Sequence, residues 1–341
     1  MNKKFYLLPL FCSFLLANTL LGQDIHFSQY YNSPLNISPA LTGMFNGDMR
    51  FMGNYRNQWS SVPVDYRTYT AAFDMKYFHK KMENGFFGGG ILLNTDRAGD
   101  SELGSSQIDL GLSYSQRLND FNIVSAGFQV GYGQRSFETD ELKFGNQFNG
   151  DVFSETESSR ENFDQTDFGF LNVGAGINWR IQLEEGLRKL DIGVGAFNLN
   201  RPEQGFYEAT PVALPVRLTF YASGEYEFSE LWSTVFHSIG QIQGPYTEVI
   251  AGGGAKYWLN RNRGKETALQ LGAAYRFRGL SDALIPSLQL HYQAWQFGLS
   301  YDINLSDFEV ATANRGGVEL SLIYIITKVK PTKEIKSCPV F

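Results

Sequence analysis

The sequence predicts an all-β fold: a transmembrane, antiparallel up-and-down β-barrel of about fourteen strands with an irregular amino-terminal periplasmic segment. Three observations predict it. The stretch from Gly104 to Phe137 reads as a hairpin with an apolar row, Ile108, Leu110, Leu112 and Tyr114 answered by Val124, Ala126, Phe128, Val130 and Tyr132. The alternate positions are polar or small, among them Asp109, Ser113, Ser125, Gly127 and Gln129, and cannot build an apolar core. Successive strand side chains point to opposite faces, so each arm is apolar on one side only. The second observation is that this unit recurs along the chain, mostly in runs near the roughly 9–11 residues that cross a bilayer at a tilt. The third is that its connections sort by length. With the amino terminus in the periplasm, every inner turn is short, and the long connections Glu138 to Gln165, Asn200 to Leu214 and Asn304 to Gly316 all fall outside. Lipid-facing barrels sort their loops in this way, whereas a soluble sandwich or propeller has no reason to.

Composition agrees with a barrel and excludes some functions. The 341 residues are 43% apolar and 19% charged, enough for one large β domain or two ordinary ones. Aromatic residues make up 15% and glycines number 35, which suits aromatic girdles and tightly curved strands. A mean hydropathy of -0.24 speaks against a helical membrane protein, but a barrel hides its lipid face in every second residue. The net charge of -6 speaks against nucleic acid as partner, because phosphate binding draws on clustered Lys and Arg.

Residues 1–22 read as an export signal: basic Lys3-Lys4, the apolar run Phe5 to Leu16, and small residues at Ala17 and Gly22. Cys12 leaves with it, so the mature chain has one thiol, Cys338, and no internal disulfide. Residues 23–47 contain Pro34, Pro39, Gly43 and Gly47, which forbid a long helix or a central strand; the segment is an ordered lead-in or a plug. The barrel spans residues 48–327. Its strands begin near Asp48 and continue through Arg67 to Phe78, Phe87 to Thr95, the hairpin, Leu171 to Ile181, Leu190 to Asn198 and Val216 to Phe228. Trp232 to Ile239 has an ambiguous register, with apolar residues at both parities. Thr247 to Trp258, Thr267 to Arg278, Leu284 to Tyr292, Trp295 to Ile303 and Val318 to Thr327 complete the set. Residues 328–341 form a basic tail with Lys328, Lys330, Lys333 and Lys336, interrupted by Pro331. An even strand count puts both mature termini in the periplasm.

The opening of the mature chain carries the most specific pattern. Its marks are Tyr30-Tyr31, Asn36, Pro39-Ala40, Gly43 and the block Tyr55-Arg56-Asn57-Gln58-Trp59, with Cys338 and Phe341 at the far end. In these residues the chain resembles the PorP/SprF family, outer-membrane components of the type IX secretion and gliding system of Bacteroidota. The resemblance implies a non-enzymatic role in exporting or anchoring adhesins. It also implies contacts with the translocon, with periplasmic ring or peptidoglycan-linked proteins and, in some members, with a secreted adhesin. Tyr30, Tyr31, Asn36, Pro39, Ala40, Gly43, Tyr55, Arg56, Gln58, Trp59, Cys338 and Phe341 are then signature positions and candidate partner contacts. For the Tyr55–Trp59 block the residues equally allow a strand ending at the membrane interface. For the tail they equally allow a terminal aromatic read by assembly machinery.

The residues themselves offer little chemistry. Gly99-Asp100-Ser101-Glu102-Leu103 has the letters of a hydrolase signature but lies between strands, where the required strand-turn-helix is missing. His26, His79, His237 and His291 are far apart in sequence and lack metal-ligand spacing. Neither a cofactor nor a metal is expected. Gly88-Gly89-Gly90 and Gly252-Gly253-Gly254 lie within strands, where glycine marks a bend or the close approach of a plug. The loop Glu138 to Gln165 sets eight carboxylates against Lys143 and Arg160 and reads as a solvated surface loop. Arg50, Arg56, Asp74, Lys76, Asp109, Arg217, Glu225, Arg276, Asp302 and Glu319 face the lumen with both signs and are expected to pair and stiffen the wall. A diffusion porin or small-molecule transporter is the alternative reading, and a barrel enzyme lacks a convergent Ser, His and acid set.

Overall fold

Alternation closes the chain on itself. In the computed structural model the described residues are 24–58, 66–78, 82–99, 103–139, 142, 145–148, 152, 165–183, 187–206, 212–262, 264–277, 283–305 and 315–327. The barrel strands are β1 (Met49–Gln58), β2 (Tyr66–Tyr77), β3 (Gly85–Ala98), β4 (Leu103–Arg117), β5 (Asn122–Ser136), β6 (Asp167–Ile181) and β7 (Leu187–Phe197). They continue as β8 (Arg217–Glu227), β9 (Trp232–Gln243), β10 (Tyr246–Asn260), β11 (Thr267–Phe277), β12 (Ala283–Tyr292), β13 (Trp295–Asn304) and β14 (Arg315–Ile326). Each pairs antiparallel with its sequence neighbour, and β1 pairs with β14 from Met49↔Ile326 to Gln58↔Gly317, closing a fourteen-stranded barrel without an edge. Backbone groups in hydrocarbon have no water to bond, so closure is what allows these strands to span a bilayer. No helix among the described residues is long and apolar enough to cross a membrane.

The faces fall as the alternation predicts. Leu110 and Leu112 are 58% and 68% exposed on the outer wall, whereas Asp109, Ser113 and Ser115 are buried inside. Strand β9 explains its own ambiguity. Trp232, Phe236 and Ile242 face outward, but Ile239 also turns inward and is buried beneath a segment that fills the lumen, so both parities are apolar. The Gly99 to Leu103 stretch stands between strands β3 and β4, with Gly99 at φ +76°. Residues 100–102, like most of the acidic loop, lie outside the described residues. So do residues 1–23, Trp59, His79, and the tail with Cys338 and Phe341.

One mouth of the barrel carries the strand ends Met49 and Ile326 and the connections 78–84, 118–121, 182–186, 228–231, 261–266 and 293–294. The opposite mouth carries the strand ends that 137–166, 198–216 and 305–314 join, together with the tight Gly244-Pro245 turn. A two-stranded ribbon, Glu203–Gln204 with Val212–Ala213, and the packed rings of Phe137, Phe168 and Phe206 order part of this long-loop mouth.

The outward face sets a first prediction. Leu112→Arg places a charge where the lipid chains would lie and costs about 2–4 kcal/mol if that level is near the midplane. Refolding into lipid vesicles followed through urea would show the loss. Ser113 is no neutral inward control, because its hydroxyl donates to Thr42 O at 2.6 Å and is buried.

Candidate functional site: the filled lumen

Residues 24–47 occupy the barrel interior. Three 3-10 turns, Tyr30–Asn32, Pro34–Asn36 and Pro39–Leu41, give this plug its shape. Pro34 and Pro39 each stand in the first turn of a helix, where their fixed φ suits the turn and the missing N–H is not needed. Turn bonds such as Ser33 N to Tyr30 O and Ile37 N to Pro34 O satisfy part of this irregular backbone, and at membrane depth the remainder survives only where protein supplies the partners.

The wall supplies them. Arg56 donates to His26 O at 2.6 Å, Arg217 to Ile25 O at 3.0 Å, and Arg180 to Met44 O at 2.9 Å. Lys76 bonds Phe45 O. The hydroxyls of Ser125 and Thr219 donate to Ala40 O and Ile37 O. Plug N–H groups meet carboxylates: Ser28 N and Gln29 N each donate to Glu319 at 2.7 Å, and Gly43 N donates to Asp74 at 2.7 Å. Bonds from ionised groups are the stronger kind, and Arg56, Arg180, Arg217, Asp74 and Glu319 are buried.

Charges converge at two levels. Toward the long-loop mouth, Asp302 accepts from Arg56 at 2.9 Å, Arg276 at 2.8 Å and the Ser28 hydroxyl at 2.7 Å. Arg276 also donates to the Ser28 hydroxyl at 2.5 Å and stands 3.3 Å from Glu248. Arg56 and Glu319 face each other across the β1–β14 seam, so the closing strands and the plug share one network. Toward the other mouth, Arg50 forks onto Asp74 at 2.9 and 2.7 Å, and Arg180 onto Asp191 at 2.7 and 2.8 Å. Lys256 pairs with Glu225 at this level too, whereas Arg217, 3.6 Å from Asp24, lies at the long-loop mouth. Most of the inward charges therefore pair, whereas Lys76 bonds Phe45 O and Asp109 accepts from Gln107, and much of the pairing grips the plug as well as the wall.

The glycine triads divide. A Cβ on Gly88 would lie 2.3 Å from Thr42 O, so there the plug does approach the wall. On Gly252 and Gly254 the obstacle is neighbouring wall backbone, Ala273 O and Leu271 O.

The signature residues separate by place. Tyr30, Pro39 and Ala40 are buried in the plug, where the Tyr30 hydroxyl bonds His237 Nδ1 at 3.0 Å. The Tyr31 ring lies 4.4 Å from the His237 ring. Asn36 exchanges amide bonds with Asn94 at 3.2 and 2.9 Å. Gly43 has φ +75°, and its Cβ would stand 2.9 Å from Gly88 Cα, so both conformation and space demand glycine. Buried Arg56 belongs to the network above. Tyr55 points outward against Tyr69 with ring centroids 5.0 Å apart, and half-buried Gln58 ends β1. In this chain the neighbours of Tyr30, Pro39, Ala40 and Arg56 are the barrel's own residues, because the plug carries its polar backbone into the lumen. Sequence reasoning missed Asp24, Ser28 and Gln29 as plug anchors and Glu248 as a partner of Arg276; inward carboxylates at matching strand heights were the signal that could have found them.

Between plug and wall, near the short-turn mouth, a cavity of about 320 Å³ is bordered by Tyr31, Phe45, Lys189, His237, Lys256 and His291. No three His, Cys, Asp or Glu come together as metal ligands among the described residues.

No curated protein matches the chain. Solved structures of similar shape include the Ralstonia pickettii toluene transporter TbuX, 11% identical over 86% of this chain and 92% of that one, with a TM-score of 0.48. A Pseudomonas aeruginosa FadL homologue is 11% identical over 84% and 92%, with a TM-score of 0.49. The KdgM porin is 8% identical over 81% and 98%, with a TM-score of 0.35. A family model described as "Type IX secretion system membrane protein PorP/SprF" matches residues 20–324. That match takes in the plug and nearly all of the barrel, and the chain belongs to the PorP/SprF family of type IX secretion system membrane proteins.

Proposed function

We propose that the protein is a non-enzymatic, plugged outer-membrane component of the type IX secretion machinery. In this role it supports export or surface anchoring of adhesins through contacts with the translocon and with periplasmic ring or peptidoglycan-linked proteins. One observation carries the reading: residues 24–47 fill the lumen and are bonded to it from many strands, which suits a scaffold and not a diffusion pore. A porin keeps a water-filled channel for its solute. Here side chains and irregular backbone stand where that channel would run. Arg56, Arg180, Arg217, Asp74 and Glu319 of the wall bond the plug, and family membership supplies the machinery to which such a scaffold would belong.

Two measurements test it. The purified protein in planar bilayers should be electrically silent, and pull-downs from native outer membranes should recover translocon or ring proteins. Steady ion conductance from a lone homotrimer would move the protein to the porin or small-molecule transporter class.

A further inference from the structure

The even strand count governs only the strand ends, and the chain crosses the barrel once more before its first strand. At the end of the plug, Asp48 N donates to Ile326 O at 2.8 Å, and a Cβ on Gly47 would lie 2.4 Å from Ile325. This is the short-turn mouth, where β1 starts and β14 ends. At the beginning of the plug, Asp24 N donates to Gln243 Oε1 at 3.0 Å, Asn198 donates to Asp24 at 2.8 Å, and Arg217 lies 3.6 Å from the same carboxylate. Gln243 ends β9, Asn198 comes directly after β7 and Arg217 opens β8, all at the long-loop mouth.

Between these ends the path folds but still crosses. From Asp24 it descends to Asn32, whose amide oxygen accepts from Gln296 at the foot of β13. It rises to Asn36, whose carbonyl accepts from Arg217, then descends past Ala40 and Met44 to Asp48. Asp24 and Ile326 therefore stand at opposite mouths. Fourteen strands return the chain to its starting side, and the plug adds one crossing.

Short turns face the periplasm and long loops the exterior in outer-membrane barrels. We infer that the mature amino end lies at the cell surface, in the outer mouth beside Asn198, Arg217 and Gln243, while the chain leaves β14 on the periplasmic side. This rests on the barrel and its plug, not on the secretion role. It has two consequences. An amino end at Asp24 is offered to molecules outside the cell and is withdrawn from periplasmic partners. Those partners are left with the short turns, such as 118–121 and 228–231, and with the residues after Thr327.

The test uses the full chain in the outer membrane of intact cells, in a Cys338→Ser background, with an impermeant maleimide. Leu305→Cys marks the long-loop side and Asn119→Cys the short-turn side; both positions are exposed. Asp24→Cys should be labelled on intact cells as Leu305→Cys is, with Asn119→Cys labelled only after lysis. Asp24→Cys labelled only after lysis would overturn the inference, as would labelling of Asn119→Cys in place of Leu305→Cys. If Asp24→Cys is poorly inserted or reacts in neither state, an epitope between Gln23 and Asp24 gives the same comparison by antibody. Binding to intact cells supports the inference, and binding only after permeabilisation sinks it.

Discussion

Asp302→Ala should destabilise the barrel by about 3–5 kcal/mol, the range for removing one partner from a buried ion network. The carboxylate is buried and takes bonds from two guanidinium groups at once, Arg56 at 2.9 Å and Arg276 at 2.8 Å. Without it Arg276 keeps Glu248 at 3.3 Å, but for charge Arg56 keeps Glu319 at 3.9 Å, a carboxylate already committed to Ser28 N and Gln29 N, beside its bond to His26 O. The loss should also reach the plug, since Ser28 gives up the acceptor for its hydroxyl. Urea unfolding of the detergent-solubilised barrel, read by the mobility difference between folded and unfolded chains, would measure it. Arg188→Ala is the contrast. Its partner Glu227 sits at the short-turn rim and Arg188 is half exposed, so removing it should cost about 0–1 kcal/mol. Equal losses at Asp302 and Arg188 would mean that the inner network is solvated.

The sequence made the wall legible and left its contents obscure, for one physical reason. A wall strand meets lipid on one side and the interior on the other, and the two environments impose a period of two on neighbouring residues. Leu110, Asp109 and Leu112 show that period without any knowledge of the fold. A plug meets the same partner on all sides and has no period to impose. Pro34, Pro39 and Gly43 showed that residues 23–47 are irregular, but not whether they stand inside the barrel or beneath it. The convergence of Arg56, Arg276, Asp302 and Glu319 was equally hidden, because these residues come from four strands and their shared height depends on the register. Charges of both signs on inward faces were visible; that they meet at Ser28 and Gln29 was not. Strand parity is blind to the amino end for the same reason: it counts strands, and the plug is a crossing that is not a strand.

Gly127→Val should dislodge the plug while leaving the outer wall able to form. A Cβ at this position would lie 2.3 Å from both Pro39 C and Pro39 O, inside any tolerable contact, and the obstacle is backbone rather than the end of a flexible side chain. The wall cannot yield easily, because Gly127 pairs with Ser113 of β4 and Gly176 of β6. The plug must therefore move at Pro39-Ala40, where the Ser125 hydroxyl bonds Ala40 O at 2.9 Å and the Ser38 hydroxyl caps the turn by accepting from Ala40 N. Overpacking of a close contact costs about 1–3 kcal/mol where neighbours can adjust, and clash with fixed backbone belongs at or above the top of that range. Gly53→Ala is the control in the same barrel, since a Cβ there meets nothing within 4 Å. Expected results are a lowered unfolding midpoint and new conductance for Gly127→Val in planar bilayers, with Gly53→Ala as silent and as stable as the parent. A silent Gly127→Val barrel of parental stability would show that Pro39 does not lie against β5, and the placement of the plug would have to be redrawn.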